Sequence, residues 1–156
     1  MKLIMENWQR YLTEQNISYS GVILDETSKQ KLLNLPIPAG WEPVAHHMTI
    51  TLGPLVHKKG KHDFSKSYPV GSPISLTVIS VGLDERAMAV KVEAPSEISS
   101  KMSFPHITVA VNRVGGGKPF HSNKIPEENF EPLTLKDENG MPMPLILKGS
   151  VQEVPQ

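Results

Sequence analysis

The sequence predicts an α+β fold in which a curved, mostly antiparallel sheet carries few helices. Short strand-like segments follow one another with only two clear helical patterns among them. The 14 prolines and 11 glycines indicate many turns and few long helices. With 156 residues, 38% of them apolar and 21% charged, the chain fits one globular domain that spans residues 1–156.

The N-terminal part is predicted to hold two short helices, one on each side of the first strand. Met5–Gln15 places its aromatic residues on one face at helical spacing. Tyr19–Leu24 is short and largely apolar, which is typical of a buried strand. The next helix is expected over Ser28–Asn34, because Asp25 or Thr27 can accept a hydrogen bond at its N-terminus.

A proline-rich segment then leads to the first histidine-bearing strand. Leu35–Pro43 is predicted to be neither helix nor central strand, because its prolines lack the N–H donor and fix φ. The strand itself is expected over His46–Leu52, and Pro54–Pro73 follows as a polar loop. The lysines within Lys58–Lys61 either guide an anionic substrate or form a solvated face.

The middle of the chain predicts a hairpin and then the second histidine-bearing strand. Ile74–Leu83 and Ala87–Val92 are the hairpin strands, and Asp84–Glu85 is their turn. Ala94–Ser103 is a connector with room for one helical turn. The strand Pro105–Asn112 follows it.

The C-terminal part begins with a glycine-rich loop, NRVGGGKPFHSN, directly after that strand. A helical turn is predicted around Pro126–Asn129. Phe130–Leu135 and Leu145–Val151 have strand composition, and we expect them to form a last pair of strands.

Charge and composition exclude several classes of protein. Sixteen basic residues balance sixteen acidic ones, so binding to long duplex nucleic acid by bulk electrostatics is not expected. The absence of cysteine excludes disulfides and thiolate metal sites and favours a cytoplasmic protein. No apolar run approaches the roughly 18 residues of a membrane span, and no secretory signal is expected at the N-terminus.

Two strands carry the same short pattern, a histidine followed two positions later by a threonine. His47 precedes Thr49, and His106 precedes Thr108. Side chains at positions i and i+2 of a strand point to the same face, so each imidazole should stand beside a hydroxyl. The residues between and after them are apolar and should face the other side. If the two strands lie together, all four polar groups line one cleft.

Such a set suits the cleavage of a phosphodiester without a metal or a cofactor. One neutral imidazole takes a proton from water or a hydroxyl, and one protonated imidazole gives a proton to the leaving oxygen. The hydroxyls of Thr49 and Thr108 can donate to the non-bridging phosphate oxygens. No carboxylate lies at ligand spacing beside His47 or His106. The sequence leaves open which histidine is the base.

Two other classes of protein also fit the pattern. A non-catalytic module would bind RNA ends or nucleotides in the same cleft, without turnover. A structural or interaction domain would bury each histidine against its neighbouring threonine. The second class predicts that removing the histidines lowers only the stability, by about 1 to 3 kcal/mol.

The motifs His47-Met48-Thr49-Ile50 and His106-Ile107-Thr108-Val109 resemble the paired H-x-T/S-hydrophobic signature of the 2H phosphoesterases. That superfamily includes LigT-like RNA cyclic phosphodiesterases, tRNA-ligase phosphodiesterase domains and phage nucleases that open cyclic nucleotide signals. The sequence around the first motif, GVILDETSKQKLL…HHMTITLGPL, is most similar to the tRNA-ligase-type branch. In that branch a strand, a short helix and the first motif follow in that order. The resemblance covers roughly Tyr19 to Val111, and the connector before the second motif is shorter than in many members.

The resemblance implies a bilobal α+β module with a pseudo-twofold axis, in which each lobe supplies one motif to a central cleft. It implies metal-free cleavage of a cyclic or linear phosphodiester at a ribose 2′ or 3′ position. The expected substrate is a nucleotide 2′,3′-cyclic phosphate or an RNA end bearing one. The alternative substrate is a cyclic di- or oligonucleotide immune messenger, in which the neighbouring 2′-hydroxyl would attack the 3′–5′ link.

The glycine-rich loop supplies the candidate substrate-binding residues Lys118, Ser122 and Asn123, which could contact phosphate or base. The loop lacks the GKS/T ending of a nucleotide P-loop, so that class of site is excluded, and an ordinary flexible turn is the alternative. His46 neighbours the first motif but is expected to face the opposite side of the strand. Tyr19 and Trp41 have the chemistry to stack on a base, although core packing is the simpler role for both.

Overall fold

The computed structural model describes residues 17–56, 63–98, 105–133 and 135–155. The predicted helix Met5–Gln15 and the lysine run Lys58–Lys61 lie outside these ranges, as do residues 99–103 of the predicted connector.

Strands dominate the described part of the chain. They are β1 (Ile17–Leu24), β2 (Glu42–Pro43), β3 (His47–Leu52), β4 (Pro73–Leu83), β5 (Ala87–Glu93), β6 (His106–Val111), β7 (Phe130–Pro132), β8 (Leu135–Lys136), β9 (Pro142–Met143) and β10 (Leu145–Pro155). One α-helix, α1 (Glu26–Leu33), and the 3₁₀ helices Phe64–Lys66, Ser96–Ile98, Pro119–Lys124 and Glu127–Asn129 accompany them.

Six of the strands close into a barrel. Their order is β10-β1-β3-β6-β5-β4, and a further pairing between β4 and β10 completes the ring. All pairings between these strands are antiparallel. The prediction of an α+β fold with a mostly antiparallel, curved sheet is therefore confirmed. Closure leaves these six strands without a free edge along the ring, which protects them from pairing with other chains.

The remaining strands are short additions to this barrel. β7 pairs with Ser80–Gly82 near the C-terminal end of β4, and β2 pairs with Ala110 and Val111 at the C-terminal end of β6. β8 and β9 form a separate two-stranded hairpin. The short lengths of β2 and β7 fit strands that end a sheet.

The helix α1 begins where the sequence predicted a cap. The Asp25 carboxylate accepts a hydrogen bond of 2.7 Å from the amide of Ser28. The Ser28 hydroxyl in turn accepts one of 2.7 Å from the amide of Lys148 in β10, which fixes the helix against the barrel. Leu32 is fully buried beneath the helix. No helix in the described ranges is long and apolar enough to cross a membrane.

The predicted hairpin between β4 and β5 is confirmed, and its turn has a clear cause. The Asp84 carboxylate accepts hydrogen bonds from the amides of Arg86 and Ala87, at 2.8 and 3.0 Å. This local side-chain contact closes the turn that the two flanking strands require.

The predicted pairing of the two C-terminal strands with each other is wrong. β7 pairs with β4, whereas Leu145–Ser150 of β10 pairs with β4 and Gly149–Pro155 pairs with β1. The long strand β10 thus bridges two strands that are far away in the sequence. That double pairing closes the barrel, and no local pattern in the sequence encodes it.

Candidate active site

The two H-x-T motifs lie on neighbouring strands. Met48 of β3 pairs with Ile107 of β6, and the pairing is antiparallel. Met48, Ile50, Ile107 and Val109 are all fully buried in the barrel core. The prediction that these apolar residues face the side opposite the polar pair is therefore confirmed.

The polar faces of both motifs open into one cavity of about 410 Å³. His47, Thr49, His106 and Thr108 all line it. Chain segments that are far apart in the sequence thus deliver two imidazoles and two hydroxyls to a common space. An arrangement of this kind can supply a proton acceptor, a proton donor and hydrogen-bond donors to one bound group.

His47 is held by contacts on both ring nitrogens. Its Nδ1 lies 3.3 Å from the hydroxyl of Tyr19 and 3.1 Å from Nδ1 of His46. Its Nε2 lies 3.1 Å from Oγ1 of Thr49. The Tyr19 ring also stacks on the imidazole, with centroids 4.3 Å apart and planes inclined by 22°. These contacts fix the ring plane and direct Nε2 towards the cavity threonine.

The pKa of His47 is lowered from 6.5 to about 4, first by burial and then by the neighbouring charges of His46 and His106. The cause is physical: a cation loses hydration in a partly buried site and is repelled by other cations. Near neutral pH His47 is therefore neutral, and one of its ring nitrogens carries a lone pair.

The second motif is supported by the loop that follows it. His106 is 9% exposed at the start of β6. The Thr108 hydroxyl lies 2.7 Å from Oγ of Ser122, and both hydroxyls reach the carbonyl oxygen of Pro119, at 3.2 and 2.7 Å. This small network joins the strand to the 3₁₀ helix Pro119–Lys124 and sets the position of Thr108.

The three residues predicted in the glycine-rich loop occupy different places. Ser122 lines the cavity but is only 1% exposed, so its hydroxyl acts mainly on Thr108. Asn123 also lines the cavity, and its Oδ1 is buried without a hydrogen-bond partner in the described part of the chain. Lys118 is exposed and is not among the lining residues, and its amide donates to Nδ1 of His121 at 3.0 Å.

Two lining residues were assigned elsewhere by the sequence. His46 was expected on the opposite face of the strand, and this expectation is wrong, because it precedes β3 and lines the same cavity as His47. Tyr19 was expected to pack in the core, yet it lines the cavity and stacks on His47. The one sequence feature that could have pointed to His46 as a cavity residue is its position directly beside His47. Trp41 is partly buried against the core, as expected.

The cavity is lined by both polar and apolar side chains, and it carries no Lys, Arg, Asp or Glu from the described ranges. Large apolar side chains stand at its rim, where Leu52 is 69% and Phe120 is 53% exposed. Within those same ranges no group of three or more His, Asp or Glu side chains has the arrangement of a metal site. The local electrostatics therefore come mainly from the histidines.

Comparison with known proteins does not assign the chain to a family. A scan against models of protein families finds no match. A search of curated proteins finds no significant relative.

Proposed function

We propose that this cavity is the active site of a metal-independent phosphoesterase, which cleaves a phosphodiester of a nucleotide or an RNA end by paired-histidine acid–base catalysis. The observation that carries the proposal is the meeting of both H-x-T motifs in one cavity. A histidine that merely packs in a core needs neither a matching partner nor a shared opening to solvent.

His47 is the proposed general base. A pKa of about 4 keeps its imidazole neutral near pH 7, so Nε2 can accept a proton. Thr49 lies at that nitrogen, 3.1 Å away, on the same face of the strand. His106 then serves as the general acid from the neighbouring strand.

The proposed reaction on a 2′,3′-cyclic phosphate balances as a hydrolysis. The water oxygen attacks phosphorus while a water proton passes to Nε2 of His47. One of the two P–O bonds to the ribose breaks, and the leaving oxygen takes a proton from His106. In the free protein the Thr49 hydroxyl donates to Nε2 of His47, and the Thr108 hydroxyl bonds with Pro119 or Ser122. When the substrate binds, both hydroxyls turn to donate to the non-bridging oxygens as charge develops on them, and Nε2 is then open to the water proton. General acid–base catalysis of this kind typically accelerates a reaction by about 10²- to 10⁴-fold.

The rim of the cavity supports a nucleotide as the substrate. Leu52 and Phe120 expose apolar surface beside the histidines, and an aromatic ring offers a stacking surface to any nucleobase. The same surfaces suit a cyclic di- or oligonucleotide, whose 3′–5′ link would break by attack of the neighbouring 2′-hydroxyl. Both substrate classes therefore belong in one assay.

The bilobal 2H-type architecture is part of the same proposal. An antiparallel strand pair has a local twofold axis, and the pairing of Met48 with Ile107 relates the two motifs about such an axis. Under that relation His47 corresponds to His106 and Thr49 to Thr108. This local symmetry supports a pseudo-twofold cleft between the motif strands.

The test compares binding with turnover in matched variants. We expect His47→Gln and His106→Gln to lower kcat by at least about 100-fold on the best substrate while they still bind it. Lys136→Ala, an exposed change in β8, is the control and should leave kcat unchanged. Loss of binding in both variants, with no turnover by the parent on any nucleotide, would instead indicate the non-catalytic module.

A further inference from the structure

His46 owes its place in the cavity to extra residues in the chain before β3. Pro43 pairs with Ala110, and Met48 pairs with Ile107. Between these two pairs the chain from β2 to β3 spans five positions, from 43 to 48, whereas β6 spans only three, from 110 to 107. The segment between β2 and β3 therefore holds two extra residues. A bulge of this kind breaks the alternation of side chains and can aim a residue at a new place.

The backbone of the bulge is unusual and firmly held. Ala45 has a φ of 41°, the only positive value of any non-glycine residue in the described ranges. Its amide donates to the carbonyl of Thr108 at 3.0 Å, and the carbonyl of His46 accepts from the amide of Leu24 at 3.0 Å. A left-handed alanine costs free energy, so surrounding contacts must maintain it.

The consequence is a direct contact between two imidazoles. Nδ1 of His46 and Nδ1 of His47 lie 3.1 Å apart, with the rings at 80° to each other. Two nitrogens at this distance need one proton between them, since two lone pairs repel and two N–H groups clash. His46 is exposed, whereas His47 is partly buried, so their surroundings differ.

We propose that His46 is a positioning residue whose Nδ1 accepts the Nδ1–H of His47, which leaves the lone pair of His47 on Nε2, beside the Thr49 hydroxyl. The hydrogen bond at one imidazole nitrogen decides which tautomer is present. The Tyr19 hydroxyl, at 3.3 Å, is the second and longer contact of the same nitrogen. The effect on rate rests on the proposed function, whereas the tautomer of His47 does not.

The groups that face His47 come from three parts of the barrel. They are Tyr19 of β1, His46 of the bulge and His106 of β6, together with Thr49 of its own strand. No carboxylate from the described ranges lines the cavity to take the part that an aspartate plays in a catalytic triad. The imidazole of His46 lies in that place instead, 3.1 Å from Nδ1 of His47.

Nitrogen-15 NMR of the histidine rings in the free protein at pH 7.5 tests the proposal without any substrate. The parent should show His47 protonated at Nδ1 and unprotonated at Nε2, with the signal assigned by its loss in His47→Gln. In His46→Ala the Nε2–H form should become the main one. His46→Asn supplies an amide oxygen near the same place and should restore the parent signal. A parent His47 protonated at Nε2, or His47 ring signals that His46→Ala leaves unchanged, would overturn the proposal.

Kinetics give the second arm. On the best substrate, His46→Ala should lower kcat by about tenfold or more with KM within about threefold, and His46→Asn should recover most of it. An undiminished kcat in His46→Ala contradicts the positioning role. If the parent turns over nothing, the proposed function fails, and the NMR result still decides the role of His46.

Discussion

The phenol ring of Tyr19 lies against the imidazole of His47, with centroids 4.3 Å apart and the ring planes inclined by 22°. The two residues come from neighbouring strands, because β1 pairs with β3. The ring removes one face of the imidazole from water, and burial is the largest cause of the lowered pKa of His47. A residue outside the motif thus helps set the charge state of the proposed base.

Replacement of Tyr19 by alanine should raise the pKa of His47 from about 4 towards its usual 6.5, because the imidazole gains access to water. Tyr19→Phe keeps the stacked ring and should leave that pKa close to the parent value. An NMR titration of the His47 ring proton measures both variants. Equal titration of Tyr19→Ala and the parent would show that the stacked ring has no part in the shift.

Removal of the Thr49 hydroxyl should slow the chemical step. In Thr49→Val the methyl cannot donate to a phosphate oxygen or to Nε2 of His47, so kcat should fall by about 100-fold. Thr49→Ser keeps the hydroxyl and should retain most of the activity. Steady-state kinetics on the best cyclic nucleotide separates the two, and a valine variant as active as the serine variant would remove Thr49 from the mechanism.

The lowered pKa of His47 also predicts how stability depends on pH. The unfolded chain binds a proton at this histidine near pH 6.5, whereas the folded protein does so only near pH 4. The free energy of unfolding should therefore fall as the pH drops from 6.5 to 4, by about 3 kcal/mol from this group. Urea unfolding at pH 7 and pH 4.5 measures the loss, and His47→Gln should lose correspondingly less. An equal loss in parent and variant would contradict the shift.

Gly21 allows β1 to approach the first motif strand closely. A Cβ at this position would lie 2.5 Å from the carbonyl oxygen of Met48, so Gly21→Ala must push the two strands apart. We expect a loss of about 1 to 3 kcal/mol in the free energy of unfolding. Gly40→Ala is the control, since its Cβ meets open space and only its φ of 82° is strained. A Gly21 variant that is no less stable than the Gly40 variant would contradict the close approach.

The sequence predicts those parts of the fold that depend on neighbouring residues. The alternation around His47 and His106 gives both motif strands and their buried faces, and Asp25 and Asp84 mark a helix start and a hairpin turn. These features depend on local geometry, which a single sequence carries. The same local rule predicted that each histidine would stand beside a threonine.

The sequence does not reveal what depends on distant pairing or on an unexpected backbone. β10 pairs with both β4 and β1, which begin 56 residues apart. The residues of Leu145–Pro155 do not indicate which strands they pair with. Ala45 adopts a left-handed conformation that alanine rarely prefers, so the bulge and the resulting place of His46 were not predictable.

We propose that His47 and His106 act together on one phosphodiester without a metal. The most direct measurement is product analysis by mass, after incubation of the parent protein with 2′,3′-cyclic mononucleotides and cyclic dinucleotides in excess chelator. We expect one ring-opened product whose formation persists in chelator and is lost in His106→Gln. Cleavage that disappears in chelator, or that survives unchanged in His106→Gln, would contradict it.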